Sequence, residues 1–308
     1  MTHTALASKE EEHRVDWVDP DGGHNQEKIW LKRMLSTDKF LVPPTEDQKV
    51  SCAVFEAPMS ELKGTAEPSQ LYERQPWQKL VLIFLAEVFG TAFLMLFGCM
   101  GLVPNNPAEE LGAYSGAIAF AGIVAIAIVI FGPISNCHLN PCVTLCALLL
   151  GKLPILTAIV YVVAEFLGAM IGYGVLVVIS PYNILSSSGS GVCVTSPVVG
   201  LTEWQALLIE AITTGLLVTL VCALWDPKTN NGEFGFLTFF IMIFLSSVVV
   251  GPFTGNSLNP IRSLAPAIYN NSWKMHWIYW VGPFSGTITS TLFYKYIFMA
   301  LNNDERVK

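Results

Sequence analysis

From Trp77 onward the chain is a succession of apolar segments, each close to the ~20 residues that cross a ~30 Å hydrocarbon core as an α-helix. Spans are expected at about 79–101, 113–132, 155–180, 203–225, 234–251 and 275–298, and two shorter apolar pieces at about 141–150 and 260–268. Each short piece follows a polar loop that ends in Asn-Pro. The loops are Ser135-Asn136-Cys137-His138-Leu139-Asn140-Pro141-Cys142 and Gly255-Asn256-Ser257-Leu258-Asn259-Pro260-Ile261-Arg262. Asn is a preferred N-cap, and Pro suits the first helical position, where its missing N–H is no loss. Ten residues of helix span only about 15 Å, so neither piece crosses alone. Entering from opposite faces, the two would meet end to end at the midplane and make one broken span lined by backbone and amide groups. The expected fold class is an all-α polytopic membrane protein with six transmembrane helices and two re-entrant half-helices.

The pattern also repeats. Pro141 and Pro260 are 119 positions apart, Glu87 and Glu210 are 123 apart, and Tyr161 and Gly168 recur as Tyr279 and Gly286, 118 apart. Three crossings per half is an odd number, so the second half is inserted upside down relative to the first. That inversion delivers the two Asn-Pro loops from opposite faces.

Composition agrees: of 308 residues 52% are hydrophobic and 13% charged. Residues 1–76 differ, being rich in Glu, Asp, Lys, Ser and Pro without an apolar run long enough to span or a signal-peptide pattern. They are expected to be a disordered cytoplasmic tail, with a transient basic amphipathic helix at 28–35; 77–300 form the membrane domain and 301–308 a short cytoplasmic C-terminal tail. The net charge of −7 belongs mainly to the long tail, and no basic patch for nucleic acid is visible. Ten of the seventeen Lys and Arg fall in residues 1–79, while the connections at about 102–112 and 181–202 have none. Lys152, Lys228, Lys295, Arg306 and Lys308 lie on the tail's side, with Lys274 the exception, so both termini are expected in the cytoplasm. Trp77, Trp204, Trp273 and Trp277 sit near span ends, as an aromatic belt requires. Seven scattered cysteines without metal-ligand spacing are expected to be small apolar packing residues.

Where two half-helices meet by their N-termini, each brings about half a positive charge and several unpaired N–H donors. Cations and protons are opposed there, while a neutral molecule with lone pairs can be held. Asn140 and Asn259 can point amide N–H groups into the lumen while the loop holds their carbonyl oxygens, which interrupts a uniform proton wire. Glu87 and Glu210, costly within apolar spans, are expected to brace the adjacent loops by accepting their N–H groups. Glu165, in the third span, has no mate at Pro283 and no assigned role.

HLNPCVTL and SLNPIRSLAP, with six spans, inverted repeats and a Glu in the first and fourth spans, resemble the aquaporin, or major intrinsic protein, family over about residues 77–300. GPFTGNSLNPIRSLAPAIYN and HWIYWVGP look most like insect members of the glycerol-permeable type. Two departures are plain, because the usual Asn-Pro-Ala is Asn140-Pro141-Cys142 and Asn259-Pro260-Ile261 here. The resemblance implies pore-lining His138 and an outer selectivity filter of Phe120, Ser247, Asn256 and Arg262. Water-selective members carry His where this chain has Ser247; a Ser widens the aperture enough for small polyols and urea. Ser263, Ala267, Tyr279 and Trp280 nevertheless look like the water-channel branch. The Asn270-Asn271-Ser272 sequon follows the second half-helix almost at the membrane surface and is expected to be unused.

The resulting expectation is a passive channel for water and small neutral solutes such as glycerol and urea, with no cofactor, no metal and no enzyme activity. By resemblance it is a homotetramer in the lipid bilayer, in the plasma membrane. A water-only channel is the nearest alternative. An ion-coupled transporter also uses broken helices, but paired ionisable residues near Asn140 and Asn259 are missing. A third class is an adhesion or signalling protein that keeps the fold and works through its tail.

Overall fold

A computed structural model describes residues 76–106, 112, 114–185, 191–226 and 234–299. The tails and the helix expected at 28–35 lie outside the described residues. The helices are α1 (Pro76–Met100), α2 (Ser115–Ser135), α3 (Pro141–Leu149), α4 (Ile155–Ile179), α5 (Glu203–Leu224), α6 (Gly235–Thr254), α7 (Pro260–Tyr269) and α8 (Ile278–Phe293). Five of them, α1, α2, α4, α5 and α6, have the length and apolarity to cross a membrane. The sixth crossing is α8, which has 16 residues and continues directly through a π-helical turn, Tyr294–Phe298. It begins later than the apolar pattern suggests, because Asn271 and Met275 adopt positive φ and hold the preceding residues in turns.

The internal repeat is visible in the packing. In the first half α1 pairs with α4, in the second α5 pairs with α8, and α2 and α6 face each other. Half-helix α3 packs on α4 and α8, and α7 on α4 and, less extensively, α8, so each re-entrant piece is wedged between the two repeats. Both half-helices start as their sequences dictate. Asn140 and Asn259 are extended N-caps whose side chains accept from backbone N–H groups of the first turn, with Pro at the first helical position. The helices that lead into the loops end alike, with left-handed caps at Asn136 (φ 62°) and Gly255 (φ 85°).

Small residues set the closest helix pairs. A Cβ on Gly172 would lie 2.2 Å from Ala92 O, and one on Gly286 would lie 2.1 Å from Ala211 O. Backbone cannot move aside as a side chain does, so Gly172→Val and Gly286→Val are expected to cost about 3 kcal/mol or more by overpacking. Gly122→Val should be tolerated, since nothing from another helix lies within 4 Å of its Cβ position. Thermal unfolding in detergent would check this; equal midpoints for all three variants would refute the packing account.

At the end of the bundle where α1 begins, Lys295 Nζ donates to Leu149 O at 2.7 Å and Lys152 Nζ to Trp225 O at 3.2 Å, capping the C-termini of α3 and α5. At the opposite end, Cys99 near the end of α1 is disulfide-bonded to Cys193 in the α4–α5 connection. This corrects the expectation that the cysteines merely pack. The two lie 94 positions apart but on the same end of the bundle. Cys137, Cys142, Cys146 and Cys222 are free and buried.

Candidate functional site

The two loops are built on one plan. Glu87, fully buried in α1, accepts from Ser135 Oγ (2.5 Å) and His138 N (3.0 Å) on Oε1 and from Leu139 N (2.7 Å) on Oε2. Glu210, fully buried in α5, accepts from Thr254 Oγ1 (2.6 Å), Ser257 N (3.0 Å) and Leu258 N (3.2 Å). Tyr161 Oη donates to Ser135 O at 2.5 Å and Tyr279 Oη to Thr254 O at 2.8 Å. A buried carboxylate in a membrane interior is tolerable only with donors such as these. The loop backbones need that support, because Cys137 (φ 52°), Leu139 (φ 52°), Asn256 (φ 48°) and Leu258 (φ 56°) all sit in the left-handed region that bulky residues avoid. Ser135, Thr254 and the two tyrosines complete the braces; the 118-residue repeat of Tyr161 and Tyr279 was the sequence signal for the latter.

At the centre each asparagine reaches across. Asn140 Nδ2 donates to Leu258 O at 2.9 Å, and Asn259 Nδ2 donates to Leu139 O at 2.7 Å. Their carbonyl oxygens are held by the half-helices: Asn140 Oδ1 accepts from Cys142 N, and Asn259 Oδ1 from Ile261 N and Arg262 N. One hydrogen of each amide is therefore spent on the opposite loop, leaving the other for a passing molecule.

A cavity of about 780 Å³ runs past both asparagines. Phe120, Ser247, Asn256 and Arg262 all line it toward one end, with His138 and Trp225 toward the other. Arg262 stands 4.7 Å from the Phe120 ring centroid and donates Nη1 to Cys193 O at 3.1 Å. Asn256 Nδ2 donates to both Ser246 Oγ and Ser247 Oγ at 3.0 Å, while its buried Oδ1 has no partner. Ser263, next to Arg262, is tied through Thr195 Oγ1 and Ser257 Oγ to the same α4–α5 connection and to the second loop.

Other expected positions fall elsewhere. Cys142 and Ile261 do not line the cavity; both are buried, Ile261 in the apolar core with Ala127 and Phe131. The side chain that follows each Asn-Pro turns away from the lumen, so its larger size is absorbed by helix packing. Pro141 and Pro260 are likewise buried outside the cavity lining. His138 does line it, with its ring stacked on Tyr161 and Nδ1 3.0 Å from Thr144 Oγ1. Glu165 gains a partner the sequence did not reveal, accepting from Thr144 Oγ1 at 2.7 Å, which links α4 to half-helix α3. Asn270 is buried, with its amide donating to Tyr173 Oη and Pro266 O, so this sequon is closed to a glycosyltransferase.

Comparison with known proteins gives the architecture a lineage. The family described as Major intrinsic protein matches residues 75–294. Aquaporin-4 of Notomys alexis is 35% identical over 188 residues, covering 59% of this chain and only 55% of that protein, so the match spans about half the relative's length. Aquaporin A of Dictyostelium discoideum is 30% identical over 243 residues, 74% of this chain and 84% of its own. Among solved structures, the aquaglyceroporin from Plasmodium falciparum has the same fold, with a TM-score of 0.63 at 24% identity over 72% of this chain and 98% of that one. With a family match across most of its length and a fold of paired, inverted Asn-Pro half-helices, the chain belongs to the major intrinsic protein family.

Proposed function

We propose that this chain is a passive transmembrane channel for water and small neutral solutes such as glycerol and urea, closed to ions and protons. The observation that carries the proposal is that one cavity is bordered by Asn140, Asn259 and the four side chains Phe120, Ser247, Asn256 and Arg262 together. A solute in that cavity meets the N-termini of α3 and α7, whose partial positive charge and amide donors suit oxygen lone pairs and oppose cations. Water held there accepts from Asn140 and Asn259 and must point its own hydrogens away from the centre, so a chain of waters is interrupted as a proton path. Arg262 adds a full positive charge and donors for solute hydroxyls, opposite the apolar face of Phe120. Ser247 leaves room where a ring would close the aperture, which favours polyol passage as in the insect glycerol-permeable channels this sequence resembles.

Further parts of the proposal concern setting. Residues 77–300 would form the channel and the flanking residues its cytoplasmic tails. A disulfide is stable in an oxidising compartment, so Cys99–Cys193 supports placing that end of the bundle outside the cell and the lysine-capped end inside. A homotetramer in the plasma membrane, with one pore per subunit, follows the family.

Stopped-flow light scattering on proteoliposomes tests the solute claim. Wild type should show fast water efflux under an impermeant osmolyte and re-swelling in glycerol and urea; Ser247→His should keep water flux and lose the re-swelling. Water flux without glycerol uptake in the wild type would establish the water-only alternative, with Asn256 as the narrowing group. Failure to move either above empty liposomes would favour a non-channel role.

A further inference from the structure

Resting on the filter role proposed for Arg262, we propose that the Cys99–Cys193 disulfide is a positioning element for selectivity: it fixes the carbonyl that holds the Arg262 guanidinium against one wall of the lumen. Three observations converge on Cys193. Its sulfur is bonded to Cys99 of α1, its carbonyl oxygen accepts from Arg262 Nη1 at 3.1 Å, and its own backbone is held at φ 69°. A non-glycine residue at that φ is strained, and it persists only where its surroundings hold it. The side-chain tether and the carbonyl aimed at Arg262 belong to the same residue, so the bond to α1 sets where the carbonyl points.

The rest of the connection has anchors of its own. Tyr173 Oη donates to Val192 O at 2.7 Å, Val192 N to Ile184 O at 3.1 Å, Thr195 Oγ1 to Ser263 Oγ at 2.9 Å and Val198 N to Phe253 O at 2.8 Å. Cleaving the disulfide therefore leaves the segment docked and releases chiefly residue 193. Once the carbonyl drifts, Arg262 needs another acceptor. The buried oxygen on the same cavity wall that lacks a partner is Asn256 Oδ1. A guanidinium drawn toward it crosses the aperture, so solutes wider than water lose more flux than water does.

The test uses folded wild-type protein in liposomes treated with the phosphine TCEP. The disulfide takes up two electrons and two protons to give two thiols, while the phosphine becomes its oxide with oxygen from water. The ratio of glycerol to water permeability should fall by about two- to tenfold, the range of one hydrogen bond's net worth, and recover on reoxidation. Cys99→Ser should reproduce the reduced value and no longer respond to TCEP. In an Arg262→Val background, reduction should leave the ratio unchanged, which a general loosening of the fold would not do. A second readout does not depend on conduction: phenylglyoxal modification of Arg262, read by mass spectrometry of the peptide, should be faster after reduction. An unchanged ratio with unchanged Arg262 reactivity in reduced wild type overturns the proposal. Faster modification in protein that conducts neither water nor glycerol would uphold the positioning role while overturning the channel function.

Discussion

Glu87→Ala and Glu210→Ala are expected to be severely destabilised and to yield little folded protein. Each removes the buried acceptor for one hydroxyl and two backbone N–H groups. At about 1–3 kcal/mol for each orphaned buried donor, three donors cost as much as a large part of a stability of about 5–15 kcal/mol. The loop residues at positive φ add to the effect, since nothing then opposes their relaxation. Glu87→Gln should be intermediate, because the amide keeps one acceptor oxygen but turns an NH₂ toward a backbone donor. Size-exclusion profiles and thermal unfolding in detergent give the ranking, wild type above Gln above Ala. An alanine variant that conducts water at the wild-type rate would show that the braces are dispensable.

The second large effect is expected from Arg262→Val, which should admit cations and protons without stopping water. Arg262 is a buried cation on the cavity wall, tied on one side to Cys193 O and facing the Phe120 ring on the other. At an effective dielectric of about 20, a like charge passing at ~5 Å is opposed by about 3 kcal/mol, so removing it should raise cation permeability on the order of a hundredfold. The N-terminal dipoles of α3 and α7 remain and keep the variant from becoming an open ion pore. Proton flux into liposomes carrying a pH-sensitive dye, set against water flux in the same preparation, measures the change. No rise in proton or cation flux would assign ion exclusion to the half-helix junction alone.

The spans were legible because an apolar helix in lipid must satisfy its own backbone, which makes length and composition decisive. The loops were legible because Asn-Pro states its structural role locally, as cap and first helical residue, and because the motif occurs twice. Contacts between distant positions carry no such local signature. Cys99 and Cys193 looked like two apolar residues among seven, and only the path of α1 and α4 brings them together. Cys142 and Ile261 depart from Asn-Pro-Ala, yet residue identity does not state the direction in which the second helical side chain points. Glu165 has no counterpart in the repeat, where Pro283 stands, and its partner Thr144 lies on the neighbouring half-helix, a contact that carries no local signature.

The crossed amide bonds at the centre also bear on how the molecule is made. Asn140 finds its acceptor in Leu258, 118 residues further along, and Leu139 O receives its donor from Asn259, 120 residues further along. While the first half alone has left the ribosome, its loop holds an unsatisfied amide and an unsatisfied carbonyl at the depth where they are most costly. The first repeat cannot finish its own interior; α7 must arrive and dock before either loop is complete. Synthesis therefore yields a helical bundle first and a pore last.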